Sequence, residues 1–218
     1  MKQPLKTLRR RQFLQHSAFG IIGTWVGGRL MACDMSQPGT LPDAVDAPPD
    51  GLPPTCGELT ETNIEGPFFT PDSPLRAVLV DDATLGTRLV ISGVVYSATT
   101  CAPIADAVLD FWSADHAGAY DNVGFNLRGH QFTDSGGGYQ LTSIVPGRYL
   151  NGAQYRPAHL HVKVAAPGHK SLTTQLYFAG DPFNDVDAFI KPSLIMTTID
   201  DLFLDTKTAT FHFVLEPV

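Results

Sequence analysis

The chain has 218 residues, 43% of them hydrophobic, and a formal charge of −7; this suits one domain with appendages and an apolar content sufficient for a core. Residues 1–32 hold six of the 15 Lys and Arg and none of the 22 Asp and Glu, so the remainder carries nine basic against 22 acidic residues, a formal −13. That argues against nucleic acid and anionic lipid headgroups as partners of the body of the chain. Glycine (20) and proline (17) are plentiful and no long stretch repeats apolar residues at helical spacing, which favours a β-rich, loop-rich fold.

The first element is a leader. Twin arginines in residues 7–14 (TLRRRQFL) precede an apolar run over residues 17–26 that is too short to span a bilayer, which takes about 20 apolar residues. The pattern resembles a twin-arginine export signal; a basic amphipathic surface helix is the alternative, and the glycines argue against it. Leu30-Met31-Ala32-Cys33 resembles a bacterial lipobox, with Met31 where a small residue is usual; ordinary cleavage nearby is the alternative to lipidation of Cys33. The expectation is an exported protein of the periplasm or cell envelope that touches the membrane only through such an anchor. Residues 34–55 form a proline-rich linker that, fully extended, spans roughly 60 Å. The domain is expected over 56–218, after a signal over 1–33. If Cys33 carries lipid, Cys56 and Cys101 remain as an even pair in an oxidising compartment. A disulfide between them would contribute roughly 4 kcal/mol on the loop-entropy account; two free buried thiols are the alternative.

Within the domain, Glu65-Gly66-Pro67-Phe68-Phe69 marks a turn followed by two aromatics, which either cover a substrate entrance or pack in the core. Residues 88–95 (RLVISGVV) and 108–112 (VLDFW) read as buried strands, with Trp112 in the core. Residues 113–129 form a long polar loop containing Tyr120, and residues 134–138 a turn. Residues 139–144 alternate as a strand, and Pro146-Gly147-Arg148-Tyr149 turns into a short loop. Tyr155-Arg156-Pro157-Ala158-His159-Leu160-His161 opens a strand that runs on through Val164. Residues 171–178 (SLTTQLYF) and 210–215 (TFHFVL) are the last strands, and residues 181–192 an irregular or short helical excursion. Short strands punctuated by Gly and Pro predict an all-β sandwich with long loops.

His159 and His161 point to the same side of their strand, where two imidazoles can serve one metal. The plainer alternative is one buried, hydrogen-bonded His and one at the strand end. No Cys-x-x-Cys lies near, and residues 162–170 hold no carboxylate, which counts against a two-histidine, one-carboxylate ferrous site. Tyrosines do lie near: Tyr120 and Tyr149. Phenol has a pKa of about 10, but a hard trivalent cation can hold it as phenolate, as metals deprotonate thiols and water. Two phenolates and a hydroxide would neutralise Fe(III), with two neutral imidazoles completing the set. A Zn or Cu site on the histidine pair is a rival.

These segments in order resemble the intradiol ring-cleavage dioxygenase family. The series is Glu65-Gly66-Pro67-Phe68-Phe69, then Leu109 to Asp115 with Gly118-Ala119-Tyr120, Pro146-Gly147-Arg148-Tyr149, Arg156-Pro157-Ala158-His159-Leu160-His161 and Leu172-Thr173-Thr174-Gln175. The resemblance implies a β-sandwich and a mononuclear non-haem Fe(III) held by Tyr120, Tyr149, His159 and His161. It implies that Tyr149 leaves the iron as substrate binds and acts as a base, and that Arg156 and Gln175 stabilise charge developing on the substrate. The implied reaction cleaves a catechol-type ring between its hydroxylated carbons and incorporates both atoms of O2, giving a cis,cis-muconate-type diacid. The family's helical dimerisation region is missing, so the chain resembles the single-domain, protocatechuate 3,4-dioxygenase-like branch; monomer and homo-oligomer stay open. A transthyretin-like binding module that lost turnover is the rival of another class. His116, His130, His169 and His212 lack motif support and are read as surface or structural.

Overall fold

The computed structural model describes residues 57–203 and 205–218. The expected export signal, Cys33, the linker and Cys56 lie outside the described residues. Cys101 is disulfide-bonded. Among the described residues no helix is long and apolar enough to cross a membrane.

Two five-stranded sheets and one hairpin make the domain. The first is built around β1 (Arg88–Ser97), whose Leu89, Ile91 and Val95 are fully buried. The second contains β2 (Val108–Ser113) and β3 (Arg128–Phe132). β4 (Gly138–Ile144) returns to pair antiparallel with β1. β5 (Tyr149–Asn151) and β6 (Gln154–Arg156) form the hairpin. β7 (His159–Ala165), β8 (Leu172–Phe178) and β9 (Ile195–Met196) extend the second sheet to the order β3-β2-β7-β8-β9, with a 3-10 turn at Pro192–Leu194 before β9. β10 (Thr198–Asp201), β11 (Thr206–Thr210) and β12 (Phe213–Leu215) complete the first, where β11 and β12 run parallel to β1. Leu89, Ile91 and Leu141 of one sheet and Leu109, Phe111, Leu160, Val162 and Leu176 of the other share one core. This is the expected all-β sandwich.

Alternation along the second sheet decides where the chemistry sits. With Phe111, Leu160, Val162 and Leu176 facing the core, Trp112, His159, His161, Gln175 and Tyr177 face outward. Register sets them in rows: Trp112 opposite both Arg128 and His161, His161 opposite Gln175, His159 opposite Tyr177. That outward face is itself buried, because the segment before β1 lies across it. Asn63 N–H donates to the Thr173 carbonyl at 2.8 Å, and Phe69 sets its edge on Trp112 at 4.9 Å. A polar layer is thus sealed between a sheet and a strap.

β9, β10 and β11 lie where no strand was expected, and the structure departs from the expected elements in three further places. β3 begins inside the expected polar loop, the hairpin β5–β6 replaces an expected turn and loop, and the expected strand over 210–215 is broken at Phe211-His212. At the break the chain passes close against Gly93. A Cβ on Gly93 would lie 1.8 Å from the Phe211 carbonyl oxygen, a backbone atom that cannot swing away. Gly93→Ala is therefore expected to cost about 3 kcal/mol through overpacking, measured as a lower urea midpoint with an unchanged slope.

Candidate metal and substrate site

Two glycines bring the two tyrosine-bearing loops together. The loop after β2 turns on Asp115, whose Oδ1 accepts the backbone N–H groups of Ala117 and Ala119 at 2.8 and 2.9 Å. Gly118 sits at φ +89°, and a Cβ there would lie 2.3 Å from the Arg148 carbonyl oxygen; one on Gly147 would lie 2.4 Å from the Gly118 nitrogen. Only two bare backbones can meet so closely, and Gly147 N–H seals the contact on the Asp115 carbonyl at 2.7 Å. Tyr120 and Tyr149 follow these glycines, and their ring centroids stand 5.7 Å apart.

β7 supplies the other half. His159 Nδ1 lies 2.7 Å from the Pro157 carbonyl, so that nitrogen carries the proton and Nε2 keeps its lone pair. The Nε2 atoms of His161 and His159 lie 3.1 and 3.5 Å from Tyr120 Oη. Trp112 stacks flat on the His161 ring, 4.8 Å between centroids and 11° between planes. Phe68 stacks on Tyr120 at 4.3 Å and meets Tyr149 edge-on at 6.0 Å. The structure therefore brings Tyr120, Tyr149, His159 and His161 to one place, with Phe68 over the two tyrosines and Phe69 against Trp112.

Burial, and then the Arg156 charge, push the His159 pKa down to about 4. His161 is held well below the ordinary value by burial, then by His159 and Arg156. Both rings are neutral donors at pH 7. Tyr120 is pushed far up by burial first and by Tyr149 next, so its phenol ionises only against a cation bound to the oxygen itself. Among the described residues no group of three His, Cys, Asp or Glu could hold a metal. Tyr120 Oη is the oxygen that meets both histidine nitrogens, and two imidazoles with two phenol oxygens fit a hard ferric ion better than zinc.

Arg156 reaches this group through the hairpin, in which it pairs with Tyr149. Its Nη1 donates to Tyr149 Oη at 3.4 Å and stands 3.3 Å from His159 Nε2. Its Nη2 donates to Gln175 Oε1 at 2.9 Å, and Gln175 Nε2 is fixed on the Ile64 carbonyl at 2.7 Å. Burial opposes the Arg156 charge, but hydrogen bonds to Asp187 and Tyr149 outweigh it and raise its pKa. The sequence reading missed Asp187, Tyr177 and Asn63. Asp187 accepts from Arg156, and Tyr177 donates to Gln175 Oε1 at 2.8 Å and accepts from Asn63 Nδ2 at 3.3 Å. Asp187 lies in the irregular excursion, where nothing local separates it from Asp181 or Asp185. Tyr177 passed as one more apolar strand residue.

The other four histidines among the described residues lie apart from the four-residue group. His130 Nδ1 stands 3.1 Å from Ser73 Oγ, which donates to Asp110 at 2.8 Å; with Ser73 buried, these contacts tie the strap to the sheet. His116 lines a cavity of about 490 Å³ that Tyr120 also borders. His212 Nδ1 accepts from Val94 N–H, and His169 rests on the Pro167 carbonyl.

Residues 64–217 match the Dioxygenase family. The chain is 31% identical over 193 residues to a chlorocatechol 1,2-dioxygenase of Rhodococcus opacus, covering 73% of this chain and 74% of that protein. It is 35% identical over 146 residues to catechol 1,2-dioxygenase 2 of Acinetobacter lwoffii, covering 57% of this chain but only 53% of that protein. Among solved structures it resembles the dioxygenase domain of a dioxygenase carbohydrate-binding protein fusion from Streptomyces sp. SirexAA-E, at 45% identity and TM-score 0.67, over 74% of this chain and 100% of that one. It also resembles 3-chlorocatechol 1,2-dioxygenase of Rhodococcus opacus 1CP, at 31% identity and TM-score 0.68, over 73% of each. A match that runs from the strap to the penultimate residue, with relatives at this identity and coverage, shows that the chain belongs to the intradiol ring-cleavage dioxygenase family.

Proposed function

We propose that the protein is a non-haem Fe(III) dioxygenase that opens a catechol-type ring between its two hydroxylated carbons, consuming O2 and giving a cis,cis-muconate-type diacid. The observation that carries this is Tyr120 Oη at 3.1 and 3.5 Å from two histidine nitrogens, with Tyr149 alongside. When bound, the ferric ion would hold the diol as catecholate and make its ring reactive toward O2. Tyr120, Tyr149, His159 and His161 are the residues that would hold it. Tyr120 is braced by Phe68 and its loop. Tyr149 would take a diol proton, with Arg156 Nη1 at 3.4 Å as the hydrogen-bond partner of its oxygen. Arg156 does not lose its own proton, so it offers fixed positive charge where charge develops on the ring. Gln175 and the strap keep that guanidinium in place and water out. A silent binding module would have no use for a buried cation between two phenols. Export and tethering through residues 1–55 would place this chemistry outside the cytoplasm.

The test is optical and chemical. Tyrosinate on ferric iron absorbs visible light, so the purified protein is expected to be reddish, to shift its band on anaerobic addition of catechol, and to consume oxygen with it. Colourless protein fully loaded with zinc would overturn the iron assignment. Coloured protein that takes up no oxygen with any catechol would favour the silent module.

A further inference from the structure

Arg156 does not act alone. Asp187 Oδ2 accepts both its Nε at 3.1 Å and its Nη2 at 2.9 Å, while Oδ1 accepts the Phe189 backbone N–H at 3.1 Å. Phe189 sets its ring 4.8 Å from the guanidinium carbon, and its carbonyl accepts from Asn63 Nδ2 at 2.8 Å and from the Tyr177 hydroxyl at 3.3 Å. The two charged side chains are 4% and 3% exposed. A planar guanidinium gripped in this way cannot turn without breaking both charge-assisted bonds.

We propose that Asp187 is a positioning residue that aims Arg156, holding its guanidinium in one plane through two charge-assisted bonds. This rests on the dioxygenase reading. Oxygen uptake with catechol tests it. Asp187→Asn keeps the shape and removes the charge. It should lower kcat for catechol about 100-fold, the scale of a small misplacement of a reacting group, with KM nearly unchanged, as for an interaction realised in the transition state. The visible band should persist. Asp187→Glu keeps the charge and moves it, so it should lose turnover as well while keeping the band. If the Asn variant does not accumulate, the Glu variant carries the test. Unchanged kcat in the variants, or loss of the visible band along with turnover, overturns the proposal. A wild type that consumes no oxygen with catechol overturns the dioxygenase reading itself.

Discussion

Tyr120→Phe is expected to purify colourless, to hold less than about a tenth of the wild-type iron, and to turn over catechol about 10³-fold more slowly or worse; loss of a mere outer partner of a ligand already costs about 10–100-fold in metal affinity. The argument is geometric. Tyr120 Oη is the atom on which both histidine nitrogens converge, so removing it leaves two imidazoles and Tyr149, short of what a trivalent ion needs. The ring itself remains, stacked on Phe68 at 4.3 Å, and with it most of the packing. Thermal unfolding of the metal-free variant should therefore match metal-free wild type within a few degrees, since about 1 kcal/mol shifts the midpoint of a domain this size by about 2–4 °C. A melting temperature that collapses would mark Tyr120 as a packing residue. A variant that stays coloured and iron-loaded would move the metal centre elsewhere.

The sequence made the sandwich legible where chemistry is local. β1, β2, β4, β7 and β8 announce themselves by β-branched and aromatic residues between Gly and Pro breaks, and period two alone puts His159 and His161 on one side. β3 hid because its outward residues, Arg128 and His130, are polar yet covered by the strap, a tertiary circumstance that no window of residues reveals. The meeting of Tyr120 with Tyr149 was legible only as an ordered series of motifs. The physical cause, Gly118 against Gly147, lies in two backbones brought together by the fold. Asp187 was illegible for a related reason: its partner is 31 residues away, and its own segment carries no periodicity. Trp112 was legible as buried, but not as the flat wall behind His161 on the outward face of the sheet.

Arg156 offers the second large effect, because its removal should separate stability from catalysis. Arg156→Met leaves the Asp187 carboxylate buried without its cation, and breaking a buried pair on one side costs about 3–5 kcal/mol. Replacing both partners by apolar residues, Arg156→Met with Asp187→Leu, should recover most of that loss, since well-packed apolar residues often serve as well as a buried ion pair. Catalysis should not recover with it. Losing a fixed donor aimed at developing charge costs about 10²–10³ in kcat, and the double variant still lacks it. Iron content and the visible band should survive in both variants, because Arg156 is not a metal donor. Urea unfolding and oxygen uptake on the same four proteins (wild type, each single variant and the double) close the cycle. Recovery of turnover along with stability would show that the guanidinium only props up the fold. Stability regained while turnover stays low would place the Arg156 charge in the reaction itself.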